Sequence, residues 1–187
     1  MKKTLLAPLI SVVLISGCAS FEAPSYSPDY QTIDAVKTQS LKAVSLGDFS
    51  PMDPQAKVNK ISLRAAGFKA KQGTFTQYFR DALEADLTEI GIYDQASDVT
   101  ISAELVENDL DISGFSKGKG LMQVRLMINQ GEDVLLDKVY TAVTEFDSSF
   151  AAAVAVPKAQ SEYPVLVKTM LAKIYTDKAF VKAVTKI

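Results

Sequence analysis

The stretch LMQVRLMINQGEDVLLDKVYTAVTEF, Leu121–Phe146, decides the fold. Met122, Val124, Leu126 and Ile128 alternate with Gln123, Arg125 and Asn129, the two-residue period of a strand with one buried face. Asn129-Gln130-Gly131-Glu132 has turn chemistry, and Val134 to Phe146 reads as a second long strand. The stretch therefore predicts an antiparallel hairpin.

Immediately upstream, Val99, Ile101, Ala103 and Leu105 show the same alternation. After Leu105 the apolar set becomes Val106, Leu110 and Ile112, while Glu107, Asp109 and Asp111 take the opposite face. A phase flip of this kind predicts a bulge near 105–106. The segment Gly114–Gly120, with three glycines, reads as a long loop between strands. Further back, Thr74 and Gln77 have the spacing of a capping box. Phe75, Tyr78, Phe79, Ala82, Leu83, Leu87 and Ile90 then recur at helical steps, with Arg80, Asp81, Glu84, Asp86 and Glu89 largely outside the stripe. Gly91 followed by Ile92 predicts a left-handed C-cap.

Two shorter strands are expected earlier, Leu41 to Phe49 and Val58 to Ala65, separated by Pro51 and Pro54. After the hairpin, Ala159, Tyr163, Leu166, Val167, Met170, Leu171 and Ile174 predict a helix from Pro157 to Tyr175 that starts late or kinks at Pro164. A last short helix runs from Asp177 to Val184. The order predicts an α+β domain: an antiparallel sheet of four to five strands with two main helices packed on one face.

The N-terminus predicts export. Lys2 and Lys3, the apolar run Leu5 to Ile15, and the small pair Ser16-Gly17 have the layout of a secretory signal peptide. The run is too short for the roughly 20 residues that span a bilayer. Ala19 to Ser40, rich in Ser, Pro, Tyr and Asp, is expected to be a flexible tether of about 25 Å average reach. In the other reading of this segment, Phe21, Tyr26 and Tyr30 dock on the domain or on a partner. The expected divisions are 1–17 leader, 18–40 modified N-terminus and tether, and 41–187 a single domain.

Composition excludes several chemistries. The chain has 187 residues, 20 Lys and Arg against 22 Asp and Glu, no histidine and one cysteine. Two of the lysines fall in the leader, so the mature side chains sum to −4, which argues against nucleic acid as partner. Without histidine there is no His-based triad, and the commonest zinc ligand is missing. A lone cysteine forms no internal disulfide.

The remaining candidates weigh against catalysis. Gly114–Gly120 matches neither phosphate-binding pattern, since the P-loop spacing is absent and Gln123 stands where a dinucleotide fold needs its third glycine. Phe115, Lys117 and Lys119 in that segment are instead a candidate contact loop for lipid head groups or an acidic partner. Glu107, Asp109 and Asp111 suit solvated strand charges better than a calcium site, lacking the glycine and distal glutamate of an EF-hand. Ser148 and Ser149 have no histidine base and no Ser-x-x-Lys partner, and small residues there suit a close crossing from strand to helix. Phe75, Tyr78 and Phe79 lie in one helical stripe and read as core rather than pocket lining. No enzymatic activity, metal or diffusible cofactor is expected.

Ile15-Ser16-Gly17-Cys18 resembles the lipobox of bacterial lipoproteins. The resemblance implies cleavage between Gly17 and Cys18, a diacylglycerol on the Cys18 sulfur and an acyl chain on its new amino group. Ala19 and Ser20, where a retention signal would place aspartate after the cysteine, imply the outer membrane, facing the periplasm. From Leu41 onward the order of elements is similar in outline to the auxiliary lipoproteins of ABC-type transport and to the lipopolysaccharide-assembly lipoprotein. The implied function is a lipid-anchored, non-catalytic binding or scaffolding lipoprotein serving an envelope protein complex. The alternative is a module that binds lipid or a small apolar ligand.

Overall fold

The computed structural model describes residues 20–186. The leader, the cleavage pair Gly17 and Cys18, and Ala19 lie outside the described residues.

The predicted hairpin forms. Strand β6, Lys117–Gln130, and strand β7, Asp133–Asp147, pair antiparallel around Gly131-Glu132, with Gly131 at φ +58°. Strand β5, Val99–Asp111, lies antiparallel on the other side of β6, and its register slips between Leu105 and Glu107, so the bulge falls where the phase flip put it. Its consequence differs from expectation. Val106 turns outward and Asn108 joins Leu110 and Ile112 on the buried face. Strand β2, Ser45–Ser50, completes the sheet in the order β2-β5-β6-β7, and it runs parallel to β5. The sheet is thus mixed rather than wholly antiparallel. The chain between β2 and β5 crosses through a helix and re-enters from the same end, as a parallel pair requires.

That helix, α2 (Phe75–Ile90), has both expected caps: the Thr74 hydroxyl accepts from Gln77 N at 3.0 Å, and Gly91 takes φ +85°. Helix α3 runs Ala152–Thr176 and starts five residues ahead of Pro157, because the small residues after Ser149, expected to form a close crossing, are themselves helical from Ala152. Pro157 and Pro164 both sit inside it, leaving the Ala153 and Gln160 carbonyls without their helical donors. Helix α4, Lys178–Val184, is capped by Asp177, which accepts from Ala179 N at 3.2 Å. Helices α2 and α3 fill one face of the sheet. Tyr163 of α3 is the hub, with Phe75, Tyr78 and Phe68 ring centroids at 4.7, 5.3 and 5.7 Å.

Two readings are corrected, one at a second, smaller sheet and one at the start of β6. The expected strand Val58–Ala65 is a 3-10 turn, Lys57–Asn59, then strand β3, Ile61–Leu63, which turns back into strand β4, Ala66–Lys69. Arg64 and Ala65 make that turn at φ +51° and +69°, a geometry usually given to Asn and Gly, so neither residue announces it. The expected loop Gly114–Gly120 is also shorter, because Lys117 to Gly120 belong to β6. A Cβ on Gly118 would lie 2.5 Å from the Phe146 ring, and one on Gly120 would lie 2.6 Å from Thr144 Oγ1. These glycines make room for neighbours rather than for motion.

The largest departure is in the expected tether. From Ser20 onward the chain is docked on the domain. Strand β1, Ser20–Glu22, pairs parallel with β4 and completes the small sheet β1-β4-β3. Helix α1, Tyr30–Lys37, buries Ile33 and Val36. Of the three aromatics, Phe21 and Tyr26 pack on the core while Tyr30 is exposed.

Candidate functional site

At one end of the large sheet two turns meet, residues 112–116 between β5 and β6 and residues 148–151 between β7 and α3. Each carries an outward phenylalanine. Phe115 is 79% exposed and Phe150 71%, and their rings stack at 5.6 Å with 13° between planes. Ala151, Ala152, Ala153 and Val154 continue the exposed apolar run into the first turn of α3.

Arg64 fastens this end together. Its Nη2 donates to the carbonyls of Ile112 at 3.0 Å and Ser149 at 2.9 Å, and its Nη1 donates to that of Phe150. The guanidinium carbon lies 5.8 Å from the Phe150 ring centroid, a cation–π distance. Arg64 makes these contacts from the positive-φ turn between β3 and β4. The two large-sheet turns are also joined directly, Ser148 N donating to Ser116 O at 2.8 Å, while Ser149 Oγ accepts from Ala151 N at 3.1 Å. Beside the aromatic pair is an apolar hollow of about 350 Å³ between Phe21, Leu63, Ala66, Val156 and Pro157.

Of the predicted contact residues, Phe115 alone stands on the loop. Lys117 lies in β6 and pairs with Asp147 at 2.9 Å and Glu145 at 3.6 Å. Lys119 stands in register between Asp111 and Glu145 on the flanking strands. The cations here are Arg64, Lys117, Lys119 and Lys158, of which Arg64 bonds backbone carbonyls and the others lie beside Asp111, Glu145 and Asp147. The end is therefore apolar and aromatic in character rather than basic.

The N-terminal segment reaches the same end. Ser20 pairs with Gly67 just past the Arg64-Ala65 turn. From there residues 21–30 strap across α2 and α3. Ala23 N donates to Lys69 O at 2.8 Å, Gln160 Nε2 to Glu22 O at 2.7 Å, and the Tyr78 hydroxyl to Pro24 O at 2.7 Å. The Tyr26 hydroxyl donates to both carboxylate oxygens of Asp86, at 2.9 and 3.0 Å. Asp86 is 2% exposed, and burial pushes its carboxyl up to about 6 despite the Tyr26 bond, which favours the charged form. Burial, then the nearby Asp86 charge, holds the Tyr26 phenol well above its ordinary value.

Arg64, Phe150 and Asp86 were not singled out by sequence reading. Asp86 had a signal: it lies four residues after Ala82 and three after Leu83, on the stripe and not outside it.

The other candidates find ordinary roles. Phe75, Tyr78 and Phe79 are buried in the core. Glu107, Asp109 and Asp111 line the outer side of β5, and no cluster of three or more His, Cys, Asp or Glu able to hold a metal occurs among the described residues. Asp111 accepts from Ser113 N at 2.8 Å, which lowers its carboxyl below the ordinary value. A groove of about 480 Å³ separates α1 from the α3–α4 junction, lined by Thr32, Ala35, Val36, Tyr175 and Val181.

No family model matches the chain, and no curated protein matches its sequence. A minor lipoprotein from Acinetobacter baumannii aligns at 15% identity with a TM-score of 0.45, over 80% of this chain and 98% of that one. Protein XCC0632 from Xanthomonas campestris, of the family DUF330, aligns at 12% identity with a TM-score of 0.57, over 84% of this chain and 92% of that one. The likeness to the Xanthomonas protein is one of fold.

Proposed function

We propose that this chain is a lipid-anchored, non-catalytic lipoprotein of the Gram-negative envelope that holds a docking surface for a protein complex close to its membrane. The observation that carries the reading is Cys18, at the end of a lipobox-like Ile15-Ser16-Gly17 and two residues ahead of a strand already paired into the domain. A lipid on Cys18 would be joined to the folded body by a short link in place of the long coil expected. Ala19 and Ser20 favour the outer membrane, facing the periplasm.

Two features support scaffolding over carriage of an apolar ligand. The space between sheet and helices is filled by the Tyr163 aromatic cluster. Among the described residues no helix covers the outer face of the sheet, which presents Val139, Val143 and the Arg125–Asp137 ion pair, at 2.7 Å. A partner on that face would bury an apolar centre with a charged rim. The test is crosslinking of the anchored form in intact cells, with a photoreactive residue at Val139 or Val143. Capture of a defined envelope protein from these positions, and not from Thr169 on the far side of α3, is expected. Recovery of bound lipid with no protein adduct would favour the carrier reading instead.

A further inference from the structure

We infer that the aromatic end of the molecule, Phe115 and Phe150 with the exposed first turn of α3, rests in the phospholipid interface of the leaflet that carries the Cys18 lipid. This rests on the reading of Cys18 as lipid-bearing.

Chain length supplies the first argument. One residue, Ala19, separates Cys18 from Ser20, so the two Cα–Cα steps keep the Cys18 Cα within about 7 Å of the Ser20 Cα. Ser20 is held beside Gly67, one turn of chain from Arg64, and Arg64 bonds directly to the backbone of Ile112, Ser149 and Phe150. The anchor therefore emerges at the aromatic end and not at the Gly131 end of the sheet. Strand β6 has 14 residues, which places those two ends roughly 40 Å apart.

The composition of the end supplies the second. Phe115, Phe150 and Val154 are among the exposed large apolar side chains, and with Ala151 to Ala153 they form one contiguous patch. Patches of this kind mark interaction surfaces. Flat aromatic rings with an arginine at their base suit the boundary between head groups and acyl chains. With the lysines of this end beside carboxylates and Arg64 bonded to backbone carbonyls, apolar insertion rather than attraction to anionic lipid holds the contact. It follows that the contact survives salt.

The chain has no tryptophan, so a single introduced indole reports cleanly. The full lipidated protein is reconstituted in phosphatidylethanolamine–phosphatidylglycerol vesicles with brominated acyl chains, as Phe115→Trp, Phe150→Trp and Val134→Trp, the last at the far end. All three positions are exposed and leave the core untouched. Mass spectrometry of the same samples reads the lipid on Cys18. With lipid present, the emission of Phe115→Trp and Phe150→Trp shifts to shorter wavelength and is quenched, equally at low and high salt, while Val134→Trp is unaffected. Lipid present with no quenching at either phenylalanine position overturns the proposal and leaves the anchor reading standing, as does a shift produced only by added envelope protein. Equal quenching at all three positions overturns it too. Absence of lipid from the native chain overturns the anchor reading and the proposal with it.

Discussion

Replacing Asp86 with Asn tests whether the N-terminal strap is latched through a buried acid. The carboxyl rises from its ordinary 3.8 to about 6 in the folded protein. A difference of about 2 pH units at 1.36 kcal/mol each corresponds to about 3 kcal/mol. Below pH 3.8 both folded and unfolded chains hold the proton. Between about 4 and 6 the folded chain keeps a proton that the unfolded chain has released, so stability falls as pH rises through that window and levels off above it. The charges facing Asp86 are those of Asp29 and Lys168, with the Tyr26 and Tyr175 hydroxyls beside it. Asn keeps a carbonyl for the Tyr26 hydroxyl but does not titrate. The unfolding free energy of Asp86→Asn minus that of the native chain should therefore grow by about 2 kcal/mol from pH 4 to pH 7, the rest of the difference falling below pH 4. Urea titrations of both proteins at pH 4, 5, 6 and 7 measure it, and taking the difference cancels carboxylates remote from the site. Parallel stability profiles for the two proteins would refute the reasoning.

Other substitutions probe the rest of the account. Asn108 donates to Val58 O at 2.9 Å and accepts from the Tyr163 hydroxyl at 3.2 Å, so Tyr163→Phe, which orphans one buried acceptor, should cost about 1–3 kcal/mol in urea unfolding. Gly118→Ala places a methyl group against the Phe146 ring and should lower stability by about 1–3 kcal/mol, with Phe146→Leu partly restoring it. Ala65→Gly relieves a positive φ at the turn that aims Arg64 and should stabilise the protein by about 1 kcal/mol in the same assay. Arg64→Ala should increase amide hydrogen exchange at Ser148 to Ala151 more than in α2, because the 148–151 turn loses its anchor.

Legibility in the sequence followed how far each signal extends along the chain. The β6–β7 hairpin, the bulge in β5 and both caps of α2 were readable because their periods and cap residues are local. Helix α1 and β1 were not, since Ala23, Ile33 and Val36 are isolated apolar residues in a polar stretch, and their burial depends on α2 and α3 far along the chain. The docking of the strap rests on single bonds such as Tyr26 to Asp86, which no period reveals. Gly118 and Gly120 were misread as loop because a glycine that admits Phe146 and Thr144 looks, in sequence, like one that bends. At the candidate site, Phe115 was legible as a loop aromatic. Its partners Arg64 and Phe150 come from turns 51 and 35 positions away in sequence and meet it only in the fold.

Lipid on Cys18 is the premise from which the membrane-proximal strap and the aromatic contact both follow. Labelling with radioactive palmitate in a Gram-negative host, on the native chain and on Cys18→Ala, tests it most directly. The account predicts a labelled, processed native protein and an unlabelled variant that keeps its leader. An unlabelled native protein, or a Cys18→Ala variant that still carries label, would contradict it.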